Sequence, residues 1–241
     1  MSIAENVLQV KKNIAAAAIA CGRKPEDIQL VAATKMNDAD RVREAVAAGI
    51  EICGENRVQE LVEKNGQGAY EGSRLHFIGT LQKNKVKFLV GTVELIHSVD
   101  SLGLAEEINK RAAAIGIVQD ILLEINIGRE AAKSGMMPEE LPAALEKIDL
   151  LPNVRVCGLM AIPPVCADPE ENRPYFAQMR KLFVDIGEDR KYNKVIMDIL
   201  SMGMSADYEV AISEGANMVR VGTGIFGARN YGAAAQPQQS K

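Results

Sequence analysis

The chain has 241 residues, 47% of them hydrophobic and 25% charged, enough to bury a full core and ordinary for a globular protein. A net charge of −4 with no dense basic patch argues against a nucleic-acid or membrane-surface role; Lys83, Lys85 and Lys87, the densest basic run, suit a solvated helix face. No apolar run approaches the ~20 residues that span a bilayer, and the amino terminus, MSIAENVLQVKKN, lacks the charged-then-apolar order of a signal peptide.

Apolar residues at Ile3, Val7, Leu8, Val10 and Ile14 predict an amphipathic helix over residues 2–22, ended by Gly22, with Pro25 opening a linker. Ile28–Lys35, IQLVAATK, is a continuous apolar run of the kind covered on both faces in a parallel sheet, and it ends in one lysine. Asn37 or Asp38 caps a helix running to Ala48 and closed by Gly49. The alternation then repeats. Strands are expected at Glu51–Asn56, Arg74–Thr80, Glu94–Val99, Asp120–Asn126, Val154–Ile162, Val195–Met202 and Met218–Phe226. Helices are expected at 57–64, 84–90, 102–115, after Pro138, at about 169–187, and at 206–213. Eight alternating units predict an α/β protein, a single closed (β/α)8 barrel of the TIM type over residues 1–230 with an extra amino-terminal helix. That first helix is placed to fill the outer position left by a missing eighth helix. An open doubly wound sheet is the alternative. No second domain is expected, and residues 231–241 carry no core residue and are expected to be disordered.

In a barrel the carboxyl ends of the strands converge on one mouth, where this fold places its chemistry. Here those ends are Lys35, Asn56, Thr80, Ser98 or Asp100, Asn126, Met160, the run Ser201-Met202-Gly203-Met204-Ser205, and Arg220-Val221-Gly222-Thr223-Gly224. A lone strand-end lysine is most often a cation snorkelling to water. In a partly desolvated pocket its pKa falls, and the neutral amine forms a Schiff base with a carbonyl compound. Ser201–Ser205 supplies hydroxyls at a strand-to-helix turn, and Gly222-Thr223-Gly224 exposes backbone amides beside it. Together they make an anion site where barrels often bind phosphate. Each turn alone is an ordinary use of serine and glycine. A ligand with an aldehyde and a phosphate on one small ring suits both ends, which describes pyridoxal 5′-phosphate (PLP). A phosphorylated sugar on a class I aldolase suits them too. The cysteines, Cys21, Cys53, Cys157 and Cys166, are scattered, and the two histidines, His76 and His97, lack metal-ligand spacing. Reduced thiols in a cytoplasmic protein are expected, and no metal.

The segments VAATK, ICGENRVQE, HFIGTLQKNKVK, SVDS, KSGM, GLMAI and LSMGMSADYEVAISEGANMVRVGTGIFG run in order from about Ile28 to Gly227. In these the chain resembles the YggS/PROSC family of PLP homeostasis proteins. The resemblance implies a single barrel like the amino-terminal domain of alanine racemase, with PLP on Lys35. It also implies a phosphate held by Ser201, Ser205, Gly222 and Thr223, with Met204 in the same cofactor-binding turn. Arg220 is similar to the arginine facing the pyridine nitrogen, and Asn56 to a residue lining the pocket. One departure is Thr80, where many members carry histidine. His76 is then the only nearby imidazole, and its strand-interior position suits a structural role.

A guanidinium only donates, so a pyridine nitrogen facing Arg220 accepts and stays unprotonated, which makes the ring a poorer electron sink. A barrel-end salt bridge is the plainer role for Arg220. Racemisation needs a second acid/base opposite Lys35. The resemblance implies that in alanine racemase this is a tyrosine from a further domain of the partner subunit. Tyr70, Tyr175, Tyr192, Tyr208 and Tyr231 all fall away from the strand ends and are expected on helix or loop surface. No catalytic residue is assigned. The expectation is a monomeric cytoplasmic PLP carrier that serves apo PLP-dependent enzymes. The alternatives are a small PLP-dependent racemase or lyase, and the aldolase.

Overall fold

Strand β1 (Gln29–Ala33) pairs in parallel with β2 (Ile52–Glu55) on one side and with β8 (Met218–Val221) on the other, and the second pairing closes the sheet. Between them, in order around the barrel, lie β3 (Arg74–Phe77), β4 (Leu95–Val99), β5 (Gln119–Ile125), β6 (Val154–Ala161) and β7 (Val195–Met204). This is a computed structural model that describes residues 1–189 and 192–227. The helices are α1 (Ile3–Ala20), α2 (Ala39–Ala47), α3 (Val58–Gly66), α4 (Leu102–Ala114), α5 (Leu141–Ile148), α6 (Arg173–Glu188), α7 (Tyr208–Ser213) and α8 (Thr223–Phe226). The expected closed barrel is present and the open sheet is not. The stretch expected to be a disordered tail lies outside the described residues. No described helix is long and apolar enough to cross a membrane.

Two apolar layers hold the barrel. The larger lies between strands and helices and includes Val42, Leu61, Phe77, Leu104, Ile108, Phe176 and Ile212. The smaller fills the inside of the barrel with Val31, Ile52, Ile78, Leu95, Leu122, Met160 and Met218. The buried residues also include the polar side chains of His76, His97, Glu124, Ser201 and Arg220. A buried polar group is costly unless it is hydrogen-bonded, so these five need partners.

Helix α1 starts in a capping box: the Ser2 Oγ accepts from the Glu5 amide at 3.2 Å and the Glu5 carboxylate accepts from the Ser2 amide at 2.8 Å. Its buried face, Ile3, Val7, Val10, Ile14 and Ala18, packs on α7 and α8 beside the β8–β1 seam, the outer position expected from the sequence.

Several boundaries differ from expectation. The run Met218–Phe226 is strand only to Val221; the chain then turns into α8, where Ile225 and Phe226 are buried. A short apolar run fits either state, because burial alone sets its composition. The expected helix at 84–90 is a 3-10 helix, Lys83–Phe88. Its buried residue, Val86, and the buried Leu89 that follows the helix are three apart and so align on a three-residue repeat. Strand β7 runs on to Met204, so Ser201 lies within a strand and not at a turn. Tyr70 and Tyr208, expected at the surface, are buried. Each carries a large apolar ring that packing shields, and the Tyr70 hydroxyl reaches the Glu55 carboxylate at 3.1 Å.

Candidate functional site

Lys35 stands just past the end of β1, at the barrel mouth. The Thr34 amide still donates to the Gly54 carbonyl at 2.9 Å, and then the chain leaves the sheet through Met36, whose φ of 61° is left-handed. That conformation is uncommon for a residue with a side chain and needs local support. The Met36 amide donates to Glu60 Oε2 at 2.9 Å. Asn37 Nδ2 donates to the Lys35 carbonyl at 3.1 Å. On the other side of Lys35, Thr34 Oγ1 donates to Glu55 Oε1 at 2.7 Å and the Thr34 carbonyl accepts from Lys64 Nζ at 3.0 Å. The buried Lys64 ammonium also donates to Glu55 at 2.6 Å and to Glu60 at 3.3 Å.

Two cavities meet at Lys35. One, of about 370 Å³, is walled by Lys35, Asn37, Arg41, Gly222, Thr223 and Phe226 among others. The second, of about 350 Å³, is walled by Lys35, Met36, Asn56, Arg57, Gly79 and Thr80. Both fall within the size of small-molecule pockets. In the first, Ser205 Oγ accepts from the Gly222 amide at 3.1 Å and from the Gly224 amide at 3.5 Å. The turn carrying Ser205 is pinned by Asp207, which accepts from the Met204 amide at 2.7 Å and from Asn172 Nδ2 at 2.9 Å. Arg41 spans this cavity: its Nε donates to Asn37 Oδ1 at 3.0 Å and its Nη2 to the Phe226 carbonyl. Asn56, in the wall of the second, has a buried Oδ1 with no hydrogen-bond partner among the described residues.

Below the mouth lies a line of polar groups. Arg220 Nη1 donates to Ser201 Oγ at 2.6 Å and Nη2 to the Ala161 carbonyl at 3.0 Å. Ser201 Oγ is 3.1 Å from His97 Nδ1, and His97 Nε2 is 3.0 Å from His76 Nδ1. Because arginine only donates, the Ser201 hydroxyl proton is left to go to His97, which then donates from Nε2 to His76. His76 ends with its proton on Nε2, and that buried atom has no partner among the described residues. The direction requires two neutral imidazoles. Burial lowers both, His76 to about 3 with help from the charge of Arg74, and His97 well below its usual value with help from His76 and Arg220. Burial also lowers Arg220 to about 10, against the pull of Glu124 and Asp207. It raises Glu124 to about 7, together with Asp100 and against Arg220.

The structure thus brings Lys35, Gly222 and Thr223 to one cavity, with Ser205 bonded to its wall, and Lys35 and Asn56 to the next. Ser201 is fully buried one layer below, on Arg220. Met204 ends β7 and is absent from the walls of both cavities. Arg220 bonds a hydroxyl and a carbonyl, not the carboxylate of a salt bridge. Sequence reasoning missed Arg41, Glu60 and Lys64. Glu60 sits in the quoted segment ICGENRVQE, but nothing local says that its carboxylate turns back to Met36.

The closed parallel eight-stranded barrel is the fold of the alanine racemase amino-terminal domain. The sequence profile of that domain matches residues 6–230. An alanine racemase from Clostridium difficile superposes with a TM-score of 0.71 at 18% identity, over 94% of this chain and 57% of its own, a likeness of fold. Nearer relatives are the pyridoxal phosphate homeostasis proteins of Aquifex aeolicus, 46% identical over 96% of this chain and 100% of theirs, and of Pseudomonas aeruginosa, 42% identical over 97% and 99%. PipY of Synechococcus elongatus, solved with PLP bound, superposes with a TM-score of 0.81 at 33% identity, over 94% of this chain and 100% of its own. The chain belongs to the pyridoxal phosphate homeostasis protein family, a branch of the alanine racemase amino-terminal-domain barrels.

Proposed function

We propose that this protein binds PLP reversibly, as a Schiff base on Lys35, and supplies it to apo PLP-dependent enzymes in the cytoplasm as a monomer, with no substrate turnover of its own. The observation that carries the reading is that Lys35, Gly222 and Thr223 line one cavity of about 370 Å³ at the barrel mouth. Relatives that match 96% and 97% of the chain are named for pyridoxal phosphate homeostasis, and PipY holds PLP in the same fold. The donor set fits the cofactor. The Thr223 hydroxyl, with the Gly222 and Gly224 amides that now donate to Ser205 Oγ, would serve a phosphate, and Arg41 adds a cation at the rim. The cofactor supplies an aldehyde that condenses with an amine, releasing water. Arg220, held from below by Ser201, gives the interior a fixed donor beneath the mouth.

The test is an absorption spectrum before and after borohydride, with peptide mapping. A band near ~420 nm that reduction fixes on Lys35 supports the reading. Lys35→Ala abolishes the fixed label and keeps the far-UV circular dichroism and melting temperature, since Lys35 is only half-buried. No band and no uptake by the wild-type chain would sink it.

A further inference from the structure

We propose that Glu60 is a positioning residue for Lys35, acting with Lys64 and Glu55 as one charged clamp on the main chain either side of it. The inference rests on the reading that Lys35 captures the aldehyde. The three clamp residues come from β2 and α3, yet they hold the chain that follows β1. Lys64 Nζ holds the Thr34 carbonyl at 3.0 Å, before Lys35, and Glu60 Oε2 holds the Met36 amide at 2.9 Å, after it. Lys64 ties the two grips together, using its three protons on Thr34, Glu55 and Glu60. An ion pair serving stability alone has no need of these two backbone groups. Replacing a whole buried ion pair by packed apolar residues is often neutral or stabilising, so the pairing of Lys64 with Glu55 is by itself weak evidence of a stabilising role.

Met36 shows what the clamp does. Its left-handed backbone, φ 61°, turns the chain out of β1 sharply, and the Glu60 carboxylate is the acceptor that satisfies its amide there. Without that acceptor the turn relaxes, the Cα–Cβ direction of the preceding Lys35 swings, and the amine leaves the junction of the two cavities. Burial by itself would raise the Glu60 pKa; the Met36 amide and the Lys64 charge outweigh it and hold the carboxyl below its usual range, so the acceptor is charged at neutral pH. In the capture step the neutral Lys35 amine would bond the aldehyde carbon, and its two protons would leave with the aldehyde oxygen as water; the clamp exchanges no proton. Its effect is therefore on placement, where a displacement of about 1 Å costs on the order of 100-fold.

The experiment uses the full chain and two ligands. PLP reports capture by Lys35 through its absorbance and borohydride trapping. Pyridoxine 5′-phosphate, an alcohol where PLP has its aldehyde, reports the phosphate and ring contacts alone. Glu60→Ala is expected to weaken PLP capture on the order of 10-fold or more, with pyridoxine 5′-phosphate affinity and melting temperature near wild type. Glu60→Gln, whose amide oxygen still accepts from Met36, is expected to recover most of the capture. Glu60→Ala with wild-type capture, or with equal losses for both ligands, overturns the positioning role. Lys64→Met is a second variant; if it fails to fold, the two Glu60 variants still decide. A wild-type chain that binds both ligands but fixes neither on Lys35 overturns the underlying reading instead.

Discussion

Glu124 and the two histidines put opposite demands on pH. Glu124 rises from 4.5 to about 7, chiefly through burial, so the folded chain holds its proton more tightly than the unfolded chain. The stability this contributes is fully present below the unfolded value and is lost as pH rises to about 7, on the order of 3 kcal/mol in all. His76 and His97 are depressed, so their contribution is present above the ordinary imidazole value of about 6.5 and is lost as pH falls below it. The difference between variant and wild type isolates the carboxyl. Glu124→Gln is expected to gain stability relative to wild type as pH moves from 5 to 8, in parallel denaturation series. A gap that does not widen refutes the raised value. At this scale the sequence showed Lys35, Gly222 and Thr223, because residue type and strand-end position suffice to find them. It hid Glu60, whose Met36 partner lies 24 residues away across the β1–β2 pair, and Arg41, whose Phe226 partner lies 185 residues away across the closure of β8 on β1. Ser201 was visible as polar, but its depth follows from how far β7 runs.

Between elements, the β6–β7 pair shows how tight the barrel wall is. Gly158 has φ 152°, and a Cβ there would fall 1.8 Å from the Ile199 carbonyl oxygen. Gly158→Ala must therefore push two paired strands apart, and it is expected to cost several kcal/mol in chemical denaturation or to prevent folding. Gly22, after α1, also has a positive φ, 74°, but a Cβ there meets nothing within 4 Å. Gly22→Ala is expected to cost only about 1 kcal/mol. Comparable losses for the two variants would show that backbone preference, not crowding, sets both. Periodicity placed all eight strands, yet it carried most of them one to three residues too far. The overrun falls at Lys35, Asn56 and Thr80, polar residues reached after the main chain has left the ladder for the mouth.

Across the whole molecule, α1 is the piece that seals the seam where the last strand meets the first. Asn6 Nδ2 donates to the Ile225 carbonyl at 2.9 Å, so α1 also braces α8, whose first residue, Thr223, lines the cavity beside Lys35. Val7 is 1% exposed on that face. Val7→Asp is expected to destabilise the fold by several kcal/mol and to weaken pyridoxine 5′-phosphate binding at the same time. A variant that loses stability yet binds as wild type would disconnect α1 from the cavity. The sequence supplied this helix as an outer-layer element, while the short α8 beneath it was hidden inside an apolar run.

The bonding of β1 to β8 bears on how another protein could approach. A sheet with open sides offers main-chain groups on which a visitor can lay down a strand, matching almost any sequence. This ring offers none among its described strands, since each has a neighbour on both sides. If the chain passes PLP to an apo-enzyme as proposed, that enzyme would have to read side chains, such as those on the loops around the mouth, and not main-chain edges. Selectivity among recipients would then be a property of the rim, free to vary while the wall beneath it stays the same.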